Sequence, residues 1–325
     1  MTIKIAYYEE NNYHTEIMGT FLEPFLSETI VIFNDGDKSG YINWFKKNIN
    51  FEIKNTDDFI NNYKNFDIII IGTSSSFKFY DKIFITEQIE QIEQHANPNQ
   101  KIFLINHLKE DVLKNKNING IVLSPINKLF NQLYILPINN FYKQVEKKWN
   151  LEKPITICLI GRFKDSNRDV YDLIKLINDY NHLNFQIIIY TRHQKFIPDI
   201  LLKIQKNFKN KIIIHYKSST DEIINSLQNI MYFCPLSSKD SCYTKDRLTG
   251  MIPLSYNFNT PLLLDEQTNS HYNLKAPIIY KNSICEIIEK ICKLREDEYN
   301  QLITNSIKEK EQIYKFNLDI IKNIF

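Results

Sequence analysis

Short apolar runs alternate with amphipathic segments along the first 125 residues. The plainest run is 67–71, which is apolar after its first residue and is followed by a glycine. Alternation of this kind predicts a parallel sheet with helices on both faces. The predicted strands cover residues 3–8, 29–33, 51–53, 67–71, 101–106 and 120–123, and the predicted helices cover residues 14–26, 41–47, 57–63 and 83–95.

The alternation starts again at residue 155, after a polar and charged segment, residues 141–154, that ends in a proline. Such a segment is typical of a linker, so we predict two domains, residues 1–145 and 153–325. In the second domain, Ser219-Thr220-Asp221-Glu222 has the form of a capping box and predicts a helix start. The predicted strands are 155–160, 185–190, 211–215, 231–235, 262–264 and 278–280, and the predicted helices are 170–179, 200–208, 222–228, 246–258, 283–294 and 296–325.

The composition is that of an ordinary globular protein. The chain has 325 residues, 43% hydrophobic and 24% charged, a length that suits two domains with a core each. Its 40 basic and 38 acidic residues are mixed along the chain and leave a net charge of +2, so no nucleic-acid partner is predicted. No apolar run approaches the roughly 18 residues of a membrane span, and the N-terminus lacks the pattern of a signal peptide.

The cysteines and acidic residues give no sign of a metal site. The five cysteines form no C-x-x-C pair and show no metal-ligand spacing. An odd number of unpatterned cysteines predicts a reducing compartment, which we take to be the cytoplasm, and no structural zinc. Asp35-Gly36-Asp37 has the form of a metal-binding D-x-D motif, but it follows the second predicted strand and is interpreted as a turn.

Three common motifs are missing, and each absence counts against a class of function. No G-x-G-x-x-G follows any predicted strand, which counts against a dinucleotide-dependent dehydrogenase. The absence of G-x-x-x-x-G-K-[ST] excludes a P-loop kinase. The absence of G-x-S-x-G excludes the nucleophile elbow of the α/β-hydrolases.

Polar residues follow the predicted strands of the first domain, where open parallel sheets bind their ligands. Strand ends are loops, and loops are polar in any protein, so position alone does not assign a function to these residues. They are His14, Asn34, Asp35, residues 73–76, His107 and Ser124.

One stretch of the second domain, MYFCPLSSKDSCYTKDRLTGMIPLSYNFNTPLLLD at residues 231–265, has a distinctive order of elements. It runs from a strand through a polar loop and an amphipathic segment to a tight turn at a proline and a second strand. This order resembles the nucleotide-sugar-binding half of GT-B glycosyltransferases, which carries an E-x7-E motif. With Asn259-Thr260-Pro261 on the turn, Asp246 takes the first acidic position, while Leu254 takes the second, where the family has a carboxylate for the donor ribose.

Gly161-Arg162, at the end of the first strand of the second domain, looks like the G-R of the same family. Glycine allows the backbone to approach a diphosphate, and a guanidinium makes a bidentate, permanently charged contact. The lysine that the family has five residues later is replaced by Asn167, with Arg168 beside it and Lys164 before it. Lys245 is a second candidate for binding the phosphates, and Thr260 is a candidate for binding the nucleotide sugar.

The resemblance implies two alternative catalytic histidines. His14 lies between the first strand and first helix, where inverting members have the base that accepts the acceptor's proton. His107 follows a later strand, where retaining members have a histidine near the donor sugar. Imidazole suits proton transfer because its pKa is near neutrality, and Glu10 or Glu16 could orient His14. A lone histidine at a helix start is also a common cap.

The resemblance as a whole implies two Rossmann-like domains facing a cleft, with the C-terminal helix crossing back to the first domain. The implied reaction is metal-independent transfer of a sugar from a nucleotide diphosphate, UDP or GDP, to a hydroxyl of a glycan, protein or small molecule. The donor would bind the second domain and the acceptor the first, without any cofactor. Two alternatives remain: a GT-B-like protein that binds a sugar or a partner without catalysis, and a nucleotide-sugar 2-epimerase.

Overall fold

The computed structural model describes residues 2–10, 15–72, 92, 97–106, 119–125, 133–143, 147, 149–150, 152–163, 167–244 and 248–324. The chain divides into two compact units. The first consists of residues 1–141 together with 314–325, and the second of residues 142–313. No helix formed by the described residues combines the length and apolar character that a membrane crossing requires.

The first unit contains a sheet of seven strands, all of them parallel. The strands are β1 (Lys4–Tyr8), β2 (Thr29–Phe33), β3 (Glu52–Lys54), β4 (Ile68–Ile71), β5 (Lys101–Asn106), β6 (Asn119–Val122) and β7 (Leu133–Tyr134). Their order in the sheet is β3-β2-β1-β4-β5-β6-β7, which is the Rossmann order with one strand added at an edge. All four isoleucines of β4 are buried, as expected of a central parallel strand covered on both faces.

The described helices of the first unit are short: α1 (Met18–Leu22), α2 (Tyr41–Phe45) and α3 (Thr56–Asn62). A Cβ atom at Gly19 would lie 2.5 Å from the ring of Phe45, so glycine is required where these residues pack. The Asp35-Gly36-Asp37 segment is a bend and loop before α2, and it stabilises the start of that helix. The carboxylate of Asp37 accepts hydrogen bonds from the backbone N–H groups of Ser39 at 2.9 Å and Ile42 at 2.6 Å.

The second unit repeats the same plan. Its strands are β8 (Ile155–Ile160), β9 (Phe185–Thr191), β10 (Ile212–Tyr216), β11 (Tyr232–Phe233), β12 (Leu263–Asp265) and β13 (Ile278–Tyr280). A four-stranded sheet, β10-β9-β8-β11, and a two-stranded sheet, β12-β13, are linked by a parallel bridge between Phe233 and Leu262. The combined order, β10-β9-β8-β11-β12-β13, is again the Rossmann order, and every pairing in it is parallel.

Side chains cap several helices of the second unit. Asp169 accepts a hydrogen bond from the N–H of Asp172 at 2.9 Å. The predicted capping box is confirmed, because Ser219 and Glu222 each accept from the other's backbone N–H, at 3.2 and 2.7 Å. The helices are α4 (Val170–Asp179), α5 (Asp199–Asn207), α6 (Thr220–Leu227), α7 (Met251–Asn257), α8 (Glu266–Tyr272), α9 (Cys285–Cys292) and α10 (Glu296–Ile324).

The structure corrects three details of the sequence prediction. The helix expected over residues 246–258 is α7, which begins only after Gly250, so that Pro253 falls in its first turn. Proline is tolerated there because the first N–H groups of a helix have no partner within it. Strand β7 has two residues and α8 has the polar sequence EQTNSHY, so neither carries a hydrophobic period that could be detected.

The last helix, α10, is 29 residues long, and its final residues are grouped with the first unit. Within that unit, the side-chain amide of Asn317 donates to the carbonyl of Leu136 at 2.6 Å, and Ile321 is buried. Within the second unit, the carboxylate of Glu309 accepts from the hydroxyl of Tyr256 at 2.6 Å. The helix therefore returns to the first unit, as the resemblance implied.

Candidate active site

The strand order of each sheet reverses at one place, and this place locates the candidate site. The reversal lies between β1 and β4 in the first unit and between β8 and β11 in the second. In open parallel sheets, ligands bind beyond the carboxyl ends of the strands at such a point. The segments to consider are therefore residues 9–10 and Gly72 in the first unit, and residues 161–163 and 234–237 in the second.

Gly161 allows the chain to turn sharply at the end of β8. Its φ of +116° is a conformation that residues with a side chain rarely adopt. The N–H of Gly161 donates to the carbonyl of Tyr190 at 2.9 Å, which ties the turn to β9. A Cβ atom on Gly161 would lie 3.6 Å from Nη2 of Arg168, so the turn passes beside that guanidinium.

Arg168 joins the two strands that flank the reversal in the second unit. Its Nη2 donates to the carbonyl of Ile160, the last residue of β8, at 3.0 Å, and its Nη1 donates to the carbonyl of Pro235, just beyond β11. The centre of the guanidinium lies 4.9 Å from the centroid of the Tyr243 ring. The side chain is only 2% exposed, so it is part of the interior of this edge.

The charge of Arg168 is not balanced by any acidic group that the structure describes. Its hydrogen-bond partners are carbonyl oxygens, which carry no net charge, and no described carboxylate forms an ion pair with it. Its Nε, also buried, has no hydrogen-bond partner among the described residues. Burial lowers the pKa of Arg168, but a guanidinium keeps its proton in proteins. An anionic ligand at this edge would supply the missing negative charge.

Arg162 has a different environment from Arg168. It is exposed, and its guanidinium lies 4.8 Å from the centroid of the Phe196 ring, in the loop after β9. The N–H of Phe163 donates to the carbonyl of Phe196 at 3.1 Å, which joins the loops after β8 and β9. The structure thus places Gly161, Arg162 and Arg168 at the carboxyl end of one strand, with Arg162 on the outer side.

A small pocket of about 40 Å³ lies at the carboxyl ends of β12 and β13, large enough for roughly one water-sized group. Burial raises the pKa of Asp265 and that of Asp172, which both line it. Oδ1 of Asp265 accepts from the N–H of Thr268 at 2.7 Å, while Oδ2 has no hydrogen-bond partner among the described residues. Within the described part of the chain, no group of three His, Cys, Asp or Glu side chains is arranged to hold a metal ion.

Four predicted site residues lie outside the described residues: His14, His107, Lys245 and Asp246. Thr260 is described and is fully buried. Its hydroxyl donates to the carbonyl of Phe258 at 3.2 Å, and its N–H donates to that of Ser255 at 2.8 Å. The Thr260 side chain thus stabilises the turn before β12, and it is not exposed to a ligand in this structure.

In the first unit, two glutamates follow β1. The carboxylate of Glu9 lies beside Gly72, where a Cβ atom would be 2.3 Å from it, so a larger residue at the end of β4 would displace this side chain. Burial, and after it the charge of Asp35, raises the pKa of Glu10. Oε2 of Glu10 is buried and has no hydrogen-bond partner among the described residues. A carboxyl whose pKa is moved toward neutrality is a better acceptor and donor of protons at physiological pH.

Sequence reasoning named Arg168 only as a neighbour of Asn167 and did not select it. The available signal was a basic residue between the glycine that ends β8 and the capping residue Asp169 that starts α4. The place of Arg168 in the sequence shows that it lies near the end of β8. It does not show burial, which depends on how residues 234–237 fold over the same edge.

No protein-family model and no curated protein sequence matches the chain. Solved structures do match along nearly its whole length. HepE from Anabaena in complex with UDP-glucose has a TM-score of 0.68 and 10% identity, covering 99% of this chain and 98% of that one. The lipopolysaccharide outer core galactosyltransferase WaaB has a TM-score of 0.56 and 12% identity, covering 98% of this chain and 99% of that one.

A third match is a putative UDP-N-acetylglucosamine 2-epimerase from Listeria monocytogenes. Its TM-score is 0.52 at 8% identity, covering 93% of this chain and 91% of that one. At identities this low, the likeness establishes the fold alone. The chain has the GT-B fold, with two units of Rossmann strand order.

Proposed function

We propose that this protein is a glycosyltransferase that moves a sugar from a nucleotide diphosphate to an acceptor hydroxyl. The observation that carries the proposal is Arg168, a buried guanidinium without a described carboxylate partner, at the strand-order reversal of the second unit. A diphosphate gains negative charge as the glycosidic bond to it breaks. A fixed cation in a poorly hydrated place stabilises that charge more than water does.

In this proposal the donor site consists of residues around the end of β8. The backbone at Gly161 allows the phosphates to approach, Arg162 contacts them from the outer side, and the buried Arg168 attracts them through its charge from within the same edge. Lys245 adds a further positive charge, and Asp246 takes the place of the first acidic residue of the E-x7-E pattern. The positive charges of these side chains take the role that a divalent ion has in metal-dependent transferases, so we propose a metal-independent reaction without a cofactor.

The acceptor would bind the first unit, where a base must remove the proton of the attacking hydroxyl. We propose His14 as that base in an inverting mechanism, and His107 as the essential histidine if the reaction is retaining. Glu10, whose pKa is raised by burial, follows β1 and precedes His14 in sequence by four residues. We also propose a cytoplasmic location, because nucleotide sugars are made there and the five cysteines are free thiols.

Uridine is the nucleotide to test first, because the structural neighbour HepE was solved with UDP and with UDP-glucose. Replacing Arg168 with Gln keeps a hydrogen-bond donor and removes the charge. We expect UDP affinity, measured by calorimetry, to fall about 10-fold to 100-fold, since a unit charge roughly 6–10 Å from a phosphate contributes about 1.5–3 kcal/mol at an effective dielectric constant of about 20. Arg295→Gln is the matched control, because Arg295 is exposed and pairs with the surface residue Asp297.

The outcomes distinguish this function from the alternatives. Unchanged affinity in a folded Arg168→Gln variant would remove Arg168 from the donor site. Slow UDP release from UDP-N-acetylglucosamine without an acceptor would favour the 2-epimerase, the function given for the Listeria protein of similar fold. UDP binding without turnover would favour a protein that has lost catalysis, as Leu254 in the second acidic position suggests.

Transfer activity of His14→Ala and His107→Ala then separates the two mechanisms. Loss of transfer with donor binding unchanged is expected for His14→Ala in an inverting enzyme, because only the transition state uses that proton acceptor. A retaining enzyme would instead lose activity with His107→Ala, and its product would keep the anomeric configuration of the donor in the NMR spectrum. Full activity of both variants would contradict both assignments.

A further inference from the structure

A strongly basic segment lies in the second unit and begins in the loop after β9, where the ring of Phe196 contacts Arg162 of the proposed donor site. Residues 192–211 contain six lysines and arginines and one acidic residue, although the whole chain has a net charge of only +2. Three of the lysines are exposed around α5: Lys195 just before it, and Lys203 and Lys206 within it. The positive charge of this segment is therefore concentrated on one part of the surface.

Two large apolar side chains are exposed on the same side of the second sheet. Tyr171 is the second residue of α4 and is 70% exposed, and Ile200 is the second residue of α5 and is 42% exposed. The two helices follow neighbouring parallel strands, β8 and β9, so right-handed crossovers put both on one face of the sheet. Both helices begin at the carboxyl edge, and Tyr171 and Ile200 therefore lie near that edge.

The core of the unit does not require these side chains. Helix α5 is anchored by the fully buried Leu201, and α4 by Leu173, Leu176 and Ile177. Ile200 and Lys203 are three residues apart, as are Lys203 and Lys206, so each pair is adjacent on the exposed surface of α5. We call Tyr171, Lys195, Ile200, Lys203 and Lys206 the basic face.

We propose that the basic face binds the surface of a membrane that contains anionic lipids. Exposed lysines are attracted to anionic headgroups, and tyrosine and isoleucine enter the boundary between headgroups and acyl chains. A nucleic acid would also attract the lysines, but its phosphate backbone offers no apolar contact for Ile200. The proposal does not depend on glycosyl transfer.

Co-sedimentation with vesicles tests the proposal on the full chain. We expect the protein to pellet with vesicles of phosphatidylcholine and phosphatidylglycerol at 7:3, and to remain in solution with phosphatidylcholine alone. The variant Lys195→Glu, Lys203→Glu, Lys206→Glu should lower the partition coefficient more than tenfold, because each lysine near an anionic surface contributes about fivefold. The matched control reverses three exposed lysines of α10, Lys308, Lys315 and Lys322, and should bind like the unmodified protein.

A second variant, Tyr171→Ser with Ile200→Ser, keeps the charge and removes the apolar contacts. It should also bind the anionic vesicles more weakly, and circular dichroism should show that each variant is folded. Unchanged partition of this variant would overturn the proposal, because a purely electrostatic site needs neither side chain. Failure of the unmodified protein to pellet, equal losses in both charge-reversal variants, or binding to duplex DNA without binding to vesicles would also overturn it.

Discussion

At the scale of single residues, the buried Arg168 and the partly buried Lys147 of the second unit differ in what burial does to their charge. Arg168 cannot lose its proton, so its burial leaves a permanent charge, which the proposed diphosphate would neutralise. Lys147, in contrast, can lose its proton and so avoid the cost of a buried charge. Its Nζ donates to the carbonyl of Ile230, and burial lowers its pKa to about 7, with the buried thiol of Cys158 nearby.

The lowered pKa of Lys147 predicts how stability depends on pH. Between the folded pKa of about 7 and the ordinary value of 10.5, the unfolded chain holds a proton that the folded chain lacks. The free energy of unfolding therefore rises with pH in this range, by at most about 1.4 kcal/mol per pH unit for this one group. Burial raises the pKa of the Cys158 thiol, so above about pH 8.5 this thiol begins to lose its proton in the unfolded chain while it keeps it in the folded chain. This lowers the free energy of unfolding as the pH rises, so the effect of Lys147 is best measured between about pH 7 and 8.5.

Urea unfolding of the Lys147→Met variant at pH 7.0 and pH 8.5 measures this effect. Methionine has nearly the same shape without a titratable group. We expect the unmodified protein to gain up to about 2 kcal/mol relative to the variant between the two pH values. Parallel pH dependences of the two proteins would mean that Lys147 keeps its proton in the folded state.

At the scale of elements, the predictable features are those encoded within a few neighbouring residues. Strands β2, β5, β8 and β13 and helix α4 have the predicted bounds, because each is a continuous apolar run or a strong amphipathic repeat. The capping box at Ser219 was predicted from four letters of sequence. The burial of Arg168 and of Thr260 was not predicted, because it depends on how the segment after β11 and the turn before β12 pack against the sheet.

The capping box gives a prediction at this scale. Replacing Ser219 with Ala removes the acceptor for the N–H of Glu222 at the start of α6. The free energy of unfolding of the second unit should fall by about 1 kcal/mol, the usual cost of losing a serine N-cap. Ser218→Ala is the control, because Ser218 is not the capping residue. Equal stability of the two variants in urea would show that α6 does not depend on its cap.

At the scale of the whole molecule, both units use one strand order, and the last helix belongs to both. The parallel sheets were predicted from the alternation of strands and helices, whereas the Rossmann-like domains were implied by the resemblance, because right-handed crossovers allow more than one strand order. The grouping of residues 314–325 with the first unit could be anticipated only through the resemblance. The sequence of α10 is helical throughout and does not show where its contacts change.

Deleting residues 314–325 tests the contribution of this segment. The deletion removes the hydrogen bond from Asn317 to Leu136 and the buried side chain of Ile321 from the first unit. We expect backbone amides of β5 and β6 to exchange with deuterium at least tenfold faster, while those of β8 and β9 keep their rates. Uniform acceleration in both units, measured by mass spectrometry, would show that the segment stabilises the chain as a whole.

The strands at the ends of each sheet have a consequence for the protein at high concentration. A terminal strand offers unpaired N–H and C=O groups with which another copy can form hydrogen bonds and begin to aggregate. Strands β3, β7 and β13 have two or three residues each, which is too few to extend a sheet. The longer β10 has Lys211 before it and Lys217 after it, and two such strands side by side would bring like charges together.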